Sequence, residues 1–345
     1  VVEAGLLEDV KEALSKEDIT YAVFSDVEPN PSTDTCYKGL EVAKSINAEA
    51  IITVGGGSPM DVAKTIAILM SNGGNLENYE GVDKFTDDPV PVIAIPTTAG
   101  TGSEVTPFAV ITIRARNYKM TIVSTRILPE VAILDPTVVT TVPAHVAAAC
   151  GMDALTHAIE SFTNLMASPI TDAIGYEAIR MIGLYLRRYV ANRNDMEAAA
   201  GMLVASNLAG IAFAIARLGN CHAMAHPLGG FFDIPHGVAN AVLLPVTMKY
   251  NLLADNGKYK RIATLLGEDI SGLNDRDAAL SAITAVQKLS DDLGIPKTLS
   301  EVGVKEETIP QMSKDAMLSG NVKINPRQTT LNDIQKLFYE AFALS

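Results

Sequence analysis

The pattern of this chain changes once, near residues 136–143, and does not change back. Before that point, short apolar runs alternate with segments of helical spacing. Leu6, Leu7, Val10 and Leu14 predict a helix and Ile19–Phe24 a strand. A helix is expected over Thr33–Ile46, after the turn-like Glu28-Pro-Asn-Pro-Ser32, then a strand over Ala50–Val54. Asp61–Ser71 reads as a helix and Val90–Pro96 as a strand, with further strands at Phe108–Ile113, Met120–Val123 and Val131–Leu134. Strand, helix and strand at this spacing predict βαβ units and a mostly parallel sheet. From Ala144 the segments 144–163, 168–190, 195–217, 237–254, 257–267 and 276–293 all carry helical spacing, with no convincing strand between them. The expectation is an α/β domain over residues 1–140 followed by an all-α domain over 141–345.

Two of the predicted strands run into glycine-rich turns. Ala50–Val54 leads into Gly55-Gly56-Gly57-Ser58, where backbone N–H groups and a helix dipole would favour an anion. The turn lacks the lysine of a P-loop and the third glycine of the usual dinucleotide fingerprint, so alone it reads equally well as a tight strand–helix connection. The second turn, Pro96 to Glu104, concentrates hydroxyls and glycines after another strand end. Ligands of open α/β sheets sit at the carboxyl ends of strands. Two such turns suit a pyrophosphate and nicotinamide better than coincidence does.

Of five histidines in 345 residues, His222, His226 and His236 fall between Asn220 and Pro245. Neutral imidazole is the commonest protein metal ligand. His157 lies four residues after Asp153, so on a helix the two share one face and can grip one ion. Any one of these histidines alone reads as a core or capping residue. Together they point to a site of one carboxylate and three imidazoles. Such a donor set suits ferrous iron or zinc without selecting between them.

The formal charge of −13 argues against nucleic acid or an anionic membrane as partner. Cys36, Cys150 and Cys221 are scattered and odd in number, which fits a reducing, cytoplasmic setting better than a disulfide framework. Ala198 to Ala216 runs without a charge, but its Ala, Gly, Ser206 and Asn207 favour a buried helix over a membrane span. No charged leader with an apolar core opens the chain, and Val1-Val2-Glu3 reads as the start of a fragment.

Four motifs in order, G-G-G-S-P-M-D from Gly55, P-T-T-A-G-T-G-S-E from Pro96, G-M-D-A-L-T-H-A-I-E from Gly151, and H-A-M-A-H-P-L-G-G with P-H-G-V-A-N-A from His222, resemble the iron-containing (group III) alcohol dehydrogenases. The resemblance covers nearly the whole chain and is strongest to members acting on lactaldehyde, propanediol and short-chain alcohols. It implies a Rossmann-like N-terminal domain, a helical C-terminal domain of the dehydroquinate synthase-like type, and an active site in the cleft between them. It places the metal on Asp153, His157, His222 and His236, with His226 nearby as a candidate for the proton path. Gly56, Gly57 and Ser58 would meet the pyrophosphate, with Asp61 close by. Asn30, Thr97, Thr98, Thr101 and Lys119 would hold the rest of the cofactor, and Phe108 and Phe213 would line the substrate pocket. The family pattern also begins with an earlier strand and a ribose-binding carboxylate that this sequence does not show, which leaves NAD and NADP both open.

The implied activity is hydride transfer between a small primary alcohol or diol and NAD(P), assisted by ferrous iron or zinc, in a homo-oligomer of two or more subunits. Two alternatives compete with it. One stays within the superfamily, as a glycerol dehydrogenase or a dehydroquinate-synthase-like lyase. The other is a metal-dependent hydrolase, for which Glu160 is the candidate general base, although surface or capping service suits that residue better.

Overall fold

The protein is described by a computed structural model covering residues 5–116 and 118–343. It divides into two compact units. One comprises the chain up to Thr98 together with Gly102–Thr141; the other comprises Ala99–Thr101 and the chain from Val142 onward.

The first unit contains, in order, α1 (Glu8–Lys16), α2 (Thr33–Ser45), β1 (Ile51–Gly55), α3 (Gly57–Asn72), β2 (Gly81–Val82), β3 (Val92–Pro96), β4 (Phe108–Ile113), β5 (Tyr118–Val123) and β6 (Val131–Ala132). The strands form two three-stranded sheets. In the first, β1, β3 and β6 lie in that order, all parallel, with Ile51 opposite Val92 and Gly55 opposite Pro96. In the second, β5 is central, parallel to β2 and antiparallel to β4. Helix α3 packs against strands of both sheets and against α2. It is buried along most of its length, and Val62, Ile66, Ile68 and Leu69 join Ile111 and Met120 in the main core of this unit.

The expected strand over Ile19–Phe24 does not form. Apolar residues alternate along it as a strand requires, but residues 19–23 are all exposed and Phe24 alone of this run packs against the core. A strand also needs a neighbouring edge to complete its ladder, and among the described residues none pairs with this segment. The run 19–23 therefore stays exposed on both faces.

The most demanding buried group in this unit is Lys64 of α3, which has no accessible surface. Its ammonium donates to the carbonyls of Ser103 (2.6 Å), Thr106 (2.9 Å) and Phe108 (2.9 Å), and lies 3.0 Å from the Ser103 hydroxyl. These bonds tie α3 to the segment that follows the second glycine-rich turn. Burial pushes the Lys64 amine down to about 8, opposed by the neighbouring Asp61 and Glu104 carboxylates.

The second unit is helical throughout its described residues: α4 (Ala144–Thr163), α5 (Pro169–Ala191), α6 (Met196–Ala216), α7 (Asn220–Phe232), α8 (His236–Asn251), α9 (Lys258–Leu265), α10 (Asp275–Asp292), α11 (Ile309–Ala316) and α12 (Leu331–Phe342). Local chemistry sets several starts. Ser168 and Thr171 form a capping box at α5, Asp195 caps α6, and Thr330 and Asp333 form a second box at α12. Helices α4, α5 and α6 pack on one another, and α8 packs on α4 and α7. Helix α6 is long and apolar enough by length and composition to cross a membrane, yet it lies mostly inside this unit. Small side chains such as Ala205, Ala209 and Ala212 let its neighbours approach.

Replacing Lys64 with Met should leave three buried carbonyls without their donor and the buried Asp61 without its neighbouring positive charge, and destabilise the protein by about 3 kcal/mol or more. Urea unfolding checks this. A loss below about 1 kcal/mol would show that the lysine's bonds are replaced at little cost.

Candidate metal centre and nucleotide-binding turns

On α4, Asp153, His157 and Glu160 occur at i, i+4 and i+7, so the helical repeat stacks them along one face. All three are buried, although carboxylates are seldom so without partners. Helix α7 brings His222 against this face, and α8 supplies His236 and Asn240 one turn apart. One donor atom each from Asp153, His157 and His222 lies within 4.8 Å of the others. The His222 Nε2 is 3.8 Å from Asp153 Oδ1, and His236 Nε2 is 3.9 Å from the same oxygen. Helix α8 can come so near because residue 237 is glycine. A Cβ there would lie 2.3 Å from the Ala149 carbonyl oxygen, one turn before Asp153.

The two most buried rings are oriented from behind. His157 Nδ1 lies 3.2 Å from the Gly100 carbonyl and must donate to it. His222 Nδ1 lies 2.5 Å from Glu160 Oε2. The same carboxylate accepts from the backbone N–H groups of Cys221 (2.7 Å) and His222 (3.3 Å) in the first turn of α7, whose N-cap, Gly219, has no side chain. Burial pushes the Glu160 carboxyl up to about 7, while the N–H donors of Cys221, Gly219 and His222 oppose that rise. Burial, with the nearby His157 and His226 rings, holds His222 well below the usual histidine range, so its ring is neutral.

Asn240 Nδ2 sits where these lone pairs converge, 2.7 Å from Asp153 Oδ1 and 3.1 Å from both His222 Nε2 and His236 Nε2. An amide nitrogen carries two hydrogens and here meets three acceptors. The site therefore crowds a carboxylate oxygen and two imidazole nitrogens around one amide that carries only two hydrogens. A divalent cation suits such a cluster, and the donor set of one carboxylate and imidazoles fits ferrous iron or zinc.

The other expected residues fall into distinct places. Phe213 of α6 stacks on His157, with centroids 4.4 Å apart at 20°. His226 follows His222 by one turn of α7, is exposed, and stacks on His236 at 5.7 Å. Glu160 is neither a surface residue nor placed as a general base, because its oxygens face the back of His222 and the α7 amides. The hydrolase alternative loses its candidate base. Cys221 is fully buried, its Sγ 3.4 Å from the Asn240 carbonyl, and burial raises its thiol well above the ordinary range.

In the first unit, β1 and β3 end side by side, and Thr97 N–H donates to the Gly55 carbonyl (2.9 Å). Gly56 is the N-cap of α3 and gives it no side-chain cap, so the first amides of α3, at Gly57 and Ser58, have no such acceptor. A Cβ at Gly56 would meet the Thr98 hydroxyl at 3.0 Å, so Gly56 and Thr98 form adjoining parts of one surface. Asn30 Oδ1 accepts from Lys119 Nζ at 2.8 Å, which unites two of the expected cofactor residues. Asp61, expected near the pyrophosphate, lies in the second turn of α3. Its oxygens accept from Ser103 Oγ (2.9 Å) and Val110 N–H (3.1 Å), which anchors α3. Phe108 opens β4 opposite Val123 and gives its carbonyl to Lys64. Thr101 belongs to the short segment grouped with the helical unit.

The family model for iron-containing alcohol dehydrogenase matches residues 1–136, and that for the C-terminal region of the Fe-containing alcohol dehydrogenase family matches 147–342. The chain belongs to the iron-containing alcohol dehydrogenase family. It is 45% identical over 341 residues to the 1,3-propanediol dehydrogenase of Klebsiella pneumoniae, covering 99% of this chain and 88% of that protein. It is 40% identical over 337 residues to the NAD-dependent methanol dehydrogenase of Bacillus methanolicus, covering 98% and 88%. The crystal structure of a 1,3-propanediol oxidoreductase superposes with a TM-score of 0.95 at 46% identity, over 97% of this chain and 88% of that one. As a member of the family the chain is an oxidoreductase with an α/β N-terminal region and a helical C-terminal one.

Gly237→Ala should push the start of α8 off α4 and carry His236 away from Asp153. Cobalt(II) affinity should fall by about tenfold with the helical circular dichroism kept. Unchanged affinity would show that the approach of α8 does not set the site.

Proposed function

We propose that this dehydrogenase interconverts a small primary alcohol or diol and its carbonyl product with NAD(P), using ferrous iron held by Asp153, His157, His222 and His236. The observation that carries the reading is the convergence of Asp153, His157 and His222 on one buried point, with His236 at its edge. The names of the relatives, a propanediol dehydrogenase and an NAD-dependent methanol dehydrogenase, support the substrate class and the cofactor. When bound, the ion supplies Lewis acidity toward the alcohol oxygen and the nicotinamide accepts the hydride.

The residues of the chain divide the remaining work. Asp153 contributes one negative charge and the three imidazoles none, so a divalent ion would keep a charge of about +1 and favour an anionic oxygen over a neutral one. The buried, stacked rings of His157 and Phe213 form an apolar wall beside the centre, which suits a short apolar chain. The exposed His226, stacked on the half-exposed His236, offers a route by which the alcohol proton reaches solvent. Gly56, Gly57 and Ser58 would present the α3 amides to a pyrophosphate, with Thr97 and Thr98 beside them. Asn30, Thr101 and Lys119 remain candidates for the rest of the dinucleotide.

The test is anaerobic loading with ferrous iron or zinc, followed by NAD and 1,3-propanediol, reading the absorbance of reduced nicotinamide. Iron-loaded protein should turn over faster than zinc-loaded protein. His222→Ala and His236→Ala should lose both metal and turnover, whereas His226→Ala should keep metal and turn over more slowly. Equal or higher activity with zinc would remove iron from the proposal. Full metal content in His236→Ala would remove that ligand.

A further inference from the structure

We infer that Glu160 is a positioning residue of the metal centre: from behind, it holds the His222 ring in the tautomer and orientation that leave Nε2 as a bare lone pair facing Asp153 and His157. The inference rests on the proposed metal reading and adds a residue to it. His222 has two ring nitrogens, and one hydrogen bond decides which of them can bind a metal.

The backbone contacts favour the acceptor role for Glu160. Its Oε1 takes the Cys221 N–H at 2.7 Å, and its Oε2 takes the His222 N–H at 3.3 Å. Both are donors, so the third contact, His222 Nδ1 at 2.5 Å from Oε2, is best met by a ring that also donates. The hydrogen then resides on Nδ1, and Nε2 is left facing Asn240 and the other donor atoms. Glu160 thus replaces the missing side-chain cap at the start of α7 and orients the ligand two residues inside it. Residue 219 must stay small for this: a Cβ there would lie 2.9 Å from Glu160 Oε1. His157 is served in the same way by the Gly100 carbonyl, so both buried rings are backed by an acceptor at Nδ1.

Glu160→Gln keeps the shape of the side chain but turns one acceptor oxygen into a donor amide, which must then face an N–H group. Cobalt(II) affinity, measured by chelator competition, should fall 10- to 100-fold in this variant with native circular dichroism. His222→Ala should fall further. Independently of any variant, long-range proton–nitrogen correlation on the metal-free, histidine-labelled wild type should find the His222 proton on Nδ1. That measurement stands even if the Gln variant does not fold. Glu160→Gln binding cobalt like the wild type, while His222→Ala does not, would overturn this inference alone. So would a His222 proton on Nε2 in the wild type. Full cobalt binding by His222→Ala would overturn the metal reading and this inference with it.

Discussion

The meeting of the α4 face with the start of α7 is the contact on which the helical unit depends for its chemistry. One turn of helix separates Asp153 from His157, and slightly less separates His157 from Glu160, so a single straight segment delivers a donor, a second donor and a brace. Burying two carboxylates and two imidazoles is unfavourable unless each polar atom is answered. Glu160 is answered by the α7 amides and the His222 ring, and His157 by Gly100. Among the described residues Asp153 is answered by a single hydrogen-bond donor, an asparagine amide that it shares with two imidazoles. The least satisfied group in the cluster is thus the one best suited to a cation.

The α/β unit solves a different problem. Its parallel strands β1 and β3 end beside each other, and the chain must leave each end without a side chain that fills the space above it. Gly56 does so at the start of α3, and Thr98 supplies a hydroxyl across from it. The turn would be loose without a tether. Lys64 provides one by gathering three carbonyls between Ser103 and Phe108, and Asp61 adds Ser103 and Val110. The two charged residues of α3 are therefore anchors that keep the strand-end surface in shape.

Much of this was legible from spacing. The strand–helix alternation and the i, i+4 pair at Asp153 and His157 follow directly from residue order, and the observed elements match within a few residues at β1, α3, α4 and α6. Three kinds of feature were not. The run Ile19–Phe24 has the right alternation but no partner edge, and pairing is a property of the whole sheet rather than of the segment. Helix α7 was hidden because Pro227 and the pair Gly229-Gly230 read as breakers, while in the fold its apolar residues are held between α8 and α11. Glu160 and Asn240 look like ordinary polar residues in sequence. Glu160 does lie at i+3 from His157, a signal that it shares the ligand face, but only the position of α7 shows what it touches. Asn240, at i+4 from His236, carried the same signal.

The account stands on one claim, that side chains from α4, α7 and α8 hold a single divalent ion. Anomalous diffraction at the iron edge, from crystals grown anaerobically with ferrous iron, tests it most directly. A single peak should lie within coordination distance of Asp153, His157, His222 and His236, with the Asn240 amide displaced from the centre it now occupies. A strong peak elsewhere, or none while Asn240 keeps its three contacts, would contradict it.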